Sequence, residues 1–343
     1  MMYRRLGRTG LMVSEIGLGG HEYRRRSLAK EGRFTVLDPD RPAIIDAALT
    51  AGVNYFDTTF TEEAQSLGAA LNAVHAKREE IFISGMSIDM LRRLKDVEPS
   101  RWRRYAETEV TERLELLRTD YLDVFQVCAM DNGFSAERLE GAMDALRQLK
   151  AKGLIRHIGA SSHDPGLLAR IIEEQDPFDV AMTRVNYCAP PNDALMRALR
   201  GRDVGFVAFK PFVWFEYGVP FFPVCRRIIE RRGAAVPTPA QMALRWILQW
   251  KEVAAVIPAA NTRGELLENV DAFRLEMADV DTGFLDECRS VPDRTVQLAE
   301  LLDHPHEEVR TFAHDALRDA VGEDFGTDRE KYVAALGRRS PPG

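Results

Sequence analysis

Cysteine is scarce in this chain. There are four, Cys128, Cys188, Cys225 and Cys288, and no two stand in a CxxC pair. That spacing argues against a zinc site, an iron–sulfur cluster or a disulfide framework, so no metal centre is expected. The clustered histidines His304, His306 and His314 fall in a polar C-terminal stretch and read as solvated surface. Long apolar runs are missing as well: none approaches the ~20 residues of a membrane helix. The opening MMYRRLGRTG has neither an apolar core nor a small-residue cleavage site of a secretory signal. Positive charge is in short supply, with 46 Lys and Arg against 53 Asp and Glu, a net charge of −7. Only eight of those cations are lysines. A polyphosphate partner would call for a basic domain, so nucleic acid is not an expected partner. The expectation is a cytoplasmic protein without membrane contact. Its 343 residues, 45% of them hydrophobic, suffice for one large domain and a small appendage.

Short apolar runs alternate with amphipathic stretches along most of the chain. The runs predict strands at Glu15–Gly20, Val53–Thr59, Ile81–Met86, Leu122–Met130, Ile155–Ser161, Asp179–Asn186, Val204–Phe212 and Ala254–Ala259. Each is apolar on successive residues, as strands covered on both faces must be. Between them, Pro42–Ala51 sets Ile44, Ile45 and Ala48 on one face, and Glu137–Lys152 sets Leu139, Met143, Leu146 and Leu149 at helical spacing. Thr238-Pro239 reads as an N-cap with proline at the first helical position. Gly52, Gly153 and Gly233 read as helix stops. Eight strands, each with its helix, over about 250–290 residues predict a (β/α)8 barrel. An open doubly wound sheet would need a Gly-rich turn opening into a helix. Here Gly17-Leu18-Gly19-Gly20 runs into His21-Glu22-Tyr23-Arg24, which does not open one.

Five segments then occur in order: YRRLGRTGLMVSEIGLGG, AGVNYFDTT, LRTDYLDVFQV, KGLIRHIGASSH and VIPAANTRGELLENV. Together they resemble the aldo/keto reductase superfamily across residues ~3–275. The SSHDP continuation looks most like a bacterial branch, some of whose members carry a C-terminal cysteine cluster that this chain lacks. The resemblance implies an α/β fold, a (β/α)8 TIM barrel with an N-terminal β-hairpin, over residues 1–290. A small helical extension similar to a HEAT repeat follows at 291–337, with Val309, Phe312, Ala313 and Leu317 on one face, and 338–343 reads as a disordered tail. A single repeat cannot bury its own face, so the extension is expected to dock on the barrel or on a protein partner.

The family implies NADPH-dependent carbonyl reduction, in which a Tyr tuned by a Lys–Asp pair protonates the developing alkoxide and a His orients the carbonyl. Asp57 in NYFDTT matches the family aspartate, as a functional carboxylate or as a buried hydrogen-bonded one. Glu62, in a run shortened by two residues, stands at the nominal Tyr position; Met86 stands at the Lys position and Cys128 at the His position. Cys128 reads either as a nucleophile or as a small buried hydrophobe. A relocated acid is sought among the strand-end residues His21, Tyr23, Glu63, Asp131, Asn132, His163, Tyr187, Lys210 and Tyr217.

For the cofactor, the resemblance implies Gly19, Gly20 and Asp57 near the first strands, Ser161 and Ser162 on the carboxamide, Met182 at a usual Gln position, and Phe209 stacked on the nicotinamide. Lys210 is placed to reach the pyrophosphate. Glu268 and Asn269 match an adenine-contacting pair, and Asn261 and Arg263 are candidates for a 2′-phosphate. NADP is the expected cofactor, with NAD as the alternative. Three readings stand: an oxidoreductase with a rebuilt acid acting on a small-molecule substrate of unknown identity; a non-catalytic nucleotide- or metabolite-binding regulatory protein; and a lyase or isomerase in the same pocket.

Overall fold

The computed structural model describes residues 1–20, 40–88, 90–128, 135–175, 178–212, 237–289 and 321–337, together with 229, 233, 299, 301–303, 310, 313, 314, 317 and 318. His21, Tyr23, Asp131, Asn132, Tyr217, His304, His306, Val309, Phe312 and the 338–343 tail lie outside the described residues. Two compact units are present, one formed by 1–211 with 240–280 and the other by 212–239 with 281–343.

The first unit opens with an antiparallel hairpin, β1 (Tyr3–Arg5) and β2 (Met12–Ser14). Seven parallel strands follow in sequential order: β3 (Tyr55–Thr58), β4 (Phe82–Ser87), β5 (Leu122–Cys128), β6 (Ile155–Ser162), β7 (Val180–Arg184), β8 (Gly205–Phe209) and β9 (Val253–Ile257). The expected strands are thus found, with ends shifted by up to three residues, except the first. Residues 15–18 form isolated parallel bridges instead, Ile16 to Val256 on β9 and Leu18 to Phe56 on β3. Gly17 N–H donates to Val256 O at 2.8 Å and Leu18 N–H to Tyr55 O at 3.0 Å. This segment spans the gap between the two edge strands and completes an eight-membered (β/α)8 ring. Gly17 makes that possible, because a Cβ there would lie 2.9 Å from both the Tyr55 carbonyl oxygen and the Ile257 side chain.

The strands are held by the helices α1 (Arg41–Thr50), α2 (Thr61–Ala73), α3 (Met90–Arg93), α4 (Trp102–Leu117), α5 (Ala136–Ala151), α6 (Pro165–Gln175), α7 (Asp193–Arg202), α8 (Pro239–Ile247) and α9 (Arg263–Asp271). Their starts follow ordinary capping chemistry: Ser135 accepts from Arg138 N–H before α5, and Asn192 from Ala194 and Leu195 N–H before α7. Gly52 and Gly153 adopt positive φ (87° and 79°), as the sequence predicts for helix stops. Leu6, Leu11 and Val13 of the hairpin segment pack against inward-facing Tyr55, Val124, Val180 and Val207, which closes the amino end of the barrel. A ligand therefore meets the carboxyl ends of the strands, as barrel architecture leads one to expect.

In the second unit, α10 (Thr282–Arg289) and α11 (Arg329–Gly337) are described. Ala313, Leu317, Val321 and Tyr332 are buried, and Tyr332 Oη accepts from Phe325 N–H at 3.1 Å. No helix among the described residues is long and apolar enough to cross a membrane.

Gly17→Ala is expected to lower stability by about 1–3 kcal/mol through overpacking at the closure. Gly201→Ala, in a helix with open space around the added methyl, is expected to be neutral or to stabilise by up to about 1 kcal/mol. Urea unfolding of both variants checks this, and equal midpoints would remove Gly17 from the closure.

Candidate active site at the barrel mouth

Strand alternation decides what faces the ring. On β3, Tyr55 and Asp57 are two residues apart and share a face, and the register sets Asp57 against Ser84 on β4. Gln126 on β5 ties these together: its Nε2 donates to Ser84 Oγ at 2.8 Å and reaches Asp57 Oδ1 at 3.5 Å and Met182 Sδ at 3.7 Å. All are buried, and Asp57 is 4% exposed. The Tyr55 hydroxyl and Gln126 Oε1 have no hydrogen-bond partner. Ser84 lies close enough to favour the charged forms of both Tyr55 and Asp57, without hydrogen-bond geometry to the Tyr55 hydroxyl.

This polar group sits in a poor environment for charge. Burial raises the Asp57 carboxyl to about 7, against a smaller lowering by Ser84. Burial, and then Asp57, push the Tyr55 hydroxyl far above its ordinary value. Of the adjacent glutamates on α2, Glu62 is half-buried and Glu63 is buried. Glu63 Oε2 accepts from Thr59 N–H at 2.7 Å and Phe60 N–H at 3.4 Å, and its side chain fills the space where a Gly20 Cβ would stand. Burial raises Glu63 to about 7, opposed by the Thr59 amide and helped by the charge of Asp57. Two carboxyls that titrate near neutrality therefore flank one side of the mouth. The sequence marks both glutamates as lying on this face. A carboxylate in the third helical position, able to accept the amides that lead into the helix, is the signal that favours Glu63 over Glu62.

Further round, Met86, Cys128 and Met182 face inward within one apolar cluster, on which Phe209 packs. Ser161 stands in register between Cys128 and Met182. Ser162 Oγ accepts from Asp164 N–H at 3.0 Å. Lys210 follows Phe209 with φ of +56°, a costly backbone for a side chain of this size. Its Nζ lies 3.4 Å from His163 Nε2 and 5.7 Å from the centre of the Phe209 ring, and the His163 ring meets Phe209 edge-on at 5.2 Å. Tyr187 is buried edge-to-face on Trp246 at 4.8 Å.

Gly19 and Gly20 are buried, with Gly19 N–H donating to Pro258 O. At the start of α9, Thr262 Oγ1 accepts from Glu265 N–H at 3.1 Å, and Asn261 N–H donates to Glu265 Oε2 at 2.6 Å. Part of this helix start is thus engaged by its own side chains. Arg263 is exposed, Glu268 half-buried, and Asn269 buried with Nδ2 donating to Ala259 O at 3.4 Å. The structure thus gathers Asp57, Ser161, Met182, Cys128, Phe209 and Lys210 around the ring, with Asn261, Arg263, Glu268 and Asn269 on the loop and helix after β9. Among the described residues no group of His, Cys, Asp and Glu is arranged to hold a metal ion.

Between the ordinary carboxyl value of 3.8 and about 7, the folded chain keeps a proton on Asp57 that the unfolded chain releases. Stability is therefore full at acid pH and falls as the pH rises through 7. Asp57→Asn is expected to be more stable than the native chain by about 1–4 kcal/mol at pH 8, with the gap closing toward pH 4. Urea midpoints measured across this range check it; a gap that does not change with pH would mean that Asp57 is already charged throughout.

The comparisons with known proteins agree with this fold. The chain is 26% identical over 310 residues to an L-galactose dehydrogenase of Arabidopsis thaliana, covering 84% of this chain and 93% of that one. It is 29% identical over 250 residues to an aldo-keto reductase of Mycobacterium avium, covering 71% and 79%. An aldo-keto reductase from Bacillus halodurans, in its holo form, superposes with a TM-score of 0.63 at 21% identity, covering 84% of this chain and 96% of that one. The model of the aldo/keto reductase family matches residues 15–213, more than half of the sequence, and the chain belongs to that family.

Proposed function

We propose that the chain binds NADP(H) or NAD(H) at the barrel mouth and carries out carbonyl/alcohol redox chemistry without the family's Tyr, Lys and His. The observation that carries the reading is the half-buried Phe209 ring at the end of β8, with Ser161 inward-facing on β6 and Lys210 beside it. The residues present fit a dinucleotide. Phe209 offers a flat apolar face, Ser161 a hydroxyl for a carboxamide, Lys210 a point charge for phosphate, and exposed Arg263 a cation for a 2′-phosphate. A bound reduced nicotinamide supplies hydride.

The proton is the chain's own task. Asp57 holds one at its carboxyl up to about pH 7, and Met86 in place of lysine leaves no cation at that position to discharge it. We assign Asp57 as the proton-holding group, with Ser84 and Gln126 fixing its position. Cys128, buried among Met86 and Met182, is then packing rather than nucleophile. That sulfur-rich floor also favours a second reading, in which the nucleotide is bound and not turned over.

NADPH and NADH titrations of the purified chain, followed by fluorescence, test the first step. Phe209→Ala is expected to weaken both by about 10–100-fold, the equivalent of losing ~1–3 kcal/mol of stacking. Arg263→Ala is expected to weaken NADPH more than NADH. Failure of either nucleotide to bind at millimolar concentration would remove the reading. Reduction of 4-nitrobenzaldehyde separates the two forms of it. Loss of about 100-fold or more in turnover by Asp57→Asn, with nucleotide still bound, supports the acid role; a native chain that binds nucleotide and turns over no carbonyl supports binding alone.

A further inference from the structure

Two polar atoms in the barrel interior have no hydrogen-bond partner among the described residues, the Tyr55 hydroxyl on β3 and Gln126 Oε1 on β5. Both side chains are fully buried. Their chemistry is complementary, since a phenol O–H donates and a carboxamide oxygen only accepts. They do not bond to each other. Both nevertheless border Ser84 on the strand between them: Ser84 Oγ is 2.8 Å from Gln126 Nε2 and lies close to Tyr55. On the far side of Gln126, Gly159 stands in register on β6. A Cβ at Gly159 would lie 3.0 Å from Gln126 Cγ, so this glycine faces the ring and β6 sends no side chain to that level.

What could join the two atoms is narrowly defined. It must accept from Tyr55 and donate to Gln126. It must be neutral, because Met86, Val124 and Met182 line the same interior and an ion would lie among them without solvation. It must be small, since both atoms border one serine. Water meets all three conditions. A further observation concerns direction. A carboxamide can turn end for end with little change of shape, so its partners decide which end points where. Gln126 has Nε2 toward Ser84 Oγ, and toward Asp57 Oδ1 at 3.5 Å. Turned round, it would set Oε1 against that carboxyl. A donor at Oε1 holds the first arrangement.

We propose that Tyr55 Oη and Gln126 Oε1 hold one water molecule inside the barrel, and that this water fixes the Gln126 carboxamide with Nε2 toward Asp57. Hydrogen bonds then run one way, from Tyr55 O–H to the water, from the water to Gln126 Oε1, and from Gln126 Nε2 to Ser84 Oγ and the Asp57 carboxyl. Asp57 Oδ1 is kept as an acceptor, which leaves the proton to Oδ2. Tyr55 is thereby a positioning residue, acting through the water and Gln126 with no hydrogen bond of its own to Asp57. The water site stands on the interior geometry alone; its bearing on proton supply rests on the role given to Asp57 above.

The test uses the full-length chain without nucleotide, with water itself as the probe. Oxygen-17 relaxation dispersion counts long-lived internal waters. Tyr55→Phe and Gln126→Met are each expected to lose one, and the double variant also one rather than two. Urea unfolding adds a test of sign. Removing an unpaired hydroxyl from a dry site raises the midpoint, whereas removing one that holds a water lowers it. Tyr55→Phe is expected to lower it by about 0.3 M or more. The infrared C=O band that Asp57→Asn abolishes, recorded at about pH 5 where Asp57 holds its proton, reads the second half of the proposal. Tyr55→Phe is expected to shift that band, because the carboxamide beside Asp57 is freed to turn. An unchanged water count with a raised midpoint in Tyr55→Phe would overturn the site. Loss of one water with the Asp57 band unmoved would overturn the positioning role. Because these readouts need no nucleotide, a chain that gives the expected results but binds neither NADPH nor NADH keeps the water site and loses the redox reading. A chain that reduces carbonyls and keeps its full water count in Tyr55→Phe does the reverse.

Discussion

Closure of the ring at Gly17 is the constraint on which the site depends. Seven parallel strands leave two open edges, β3 and β9, and each edge carries unpaired amides and carbonyls that need partners. Residues 15–18 satisfy both edges at once through Val256 O and Tyr55 O. The fit is tight enough that a single methyl would collide with the Tyr55 backbone. Tyr55 and Asp57 belong to one of the joined strands, and Phe209 to the neighbour of the other. Without the closure, Asp57 would face a sheet edge and solvent, and its burial would be lost.

Burial in turn sets the chemistry. A carboxyl in the middle of a barrel costs several kcal/mol when charged and unpaired. The chain meets that cost by protonation, and Ser84 and Gln126 supply the remaining polar contacts. The unpartnered Tyr55 hydroxyl and Gln126 Oε1 each cost about 1–3 kcal/mol. A core optimised only for stability would carry apolar groups there, of the kind that Met86, Cys128 and Met182 supply on the neighbouring strands. The interior is therefore divided, one arc soft and apolar, the other polar and under-satisfied.

How much of this the sequence reveals varies with the physics involved. Doubly covered parallel strands are continuous apolar runs, so β3 to β9 were legible from LDVFQVC and its counterparts. The first strand was legible as a motif but not as its geometry, because Gly17 reports a close approach whose partner lies about 240 residues away. That Asp57 and Ser161 stand near the ends of β3 and β6, and Lys210 just after β8, could be read from motif. The protonation of Asp57 could not, since it depends on what surrounds that carboxyl in space. Choosing between Glu62 and Glu63 needs helix rotation to within one residue, and the shortened DTTFTEEAQSLG run hides it. Arg184 has no motif at all. Only its spacing from Met182 points it inward.

The ring geometry gives these pieces an orientation. Counting residues 15–18 as the eighth member, β7 is four strands from β3 in either direction, so Arg184 and Asp57 stand on opposite sides of the mouth. One side carries two carboxyls that are neutral at or below about pH 7, the other two cations and a neutral imidazole. As the pH rises through 7 the carboxyls charge, and the wall opposite Arg184 turns from neutral to anionic. The proton held at Asp57 and the field across the mouth thus share one titration, because both follow from burying Asp57 and Glu63.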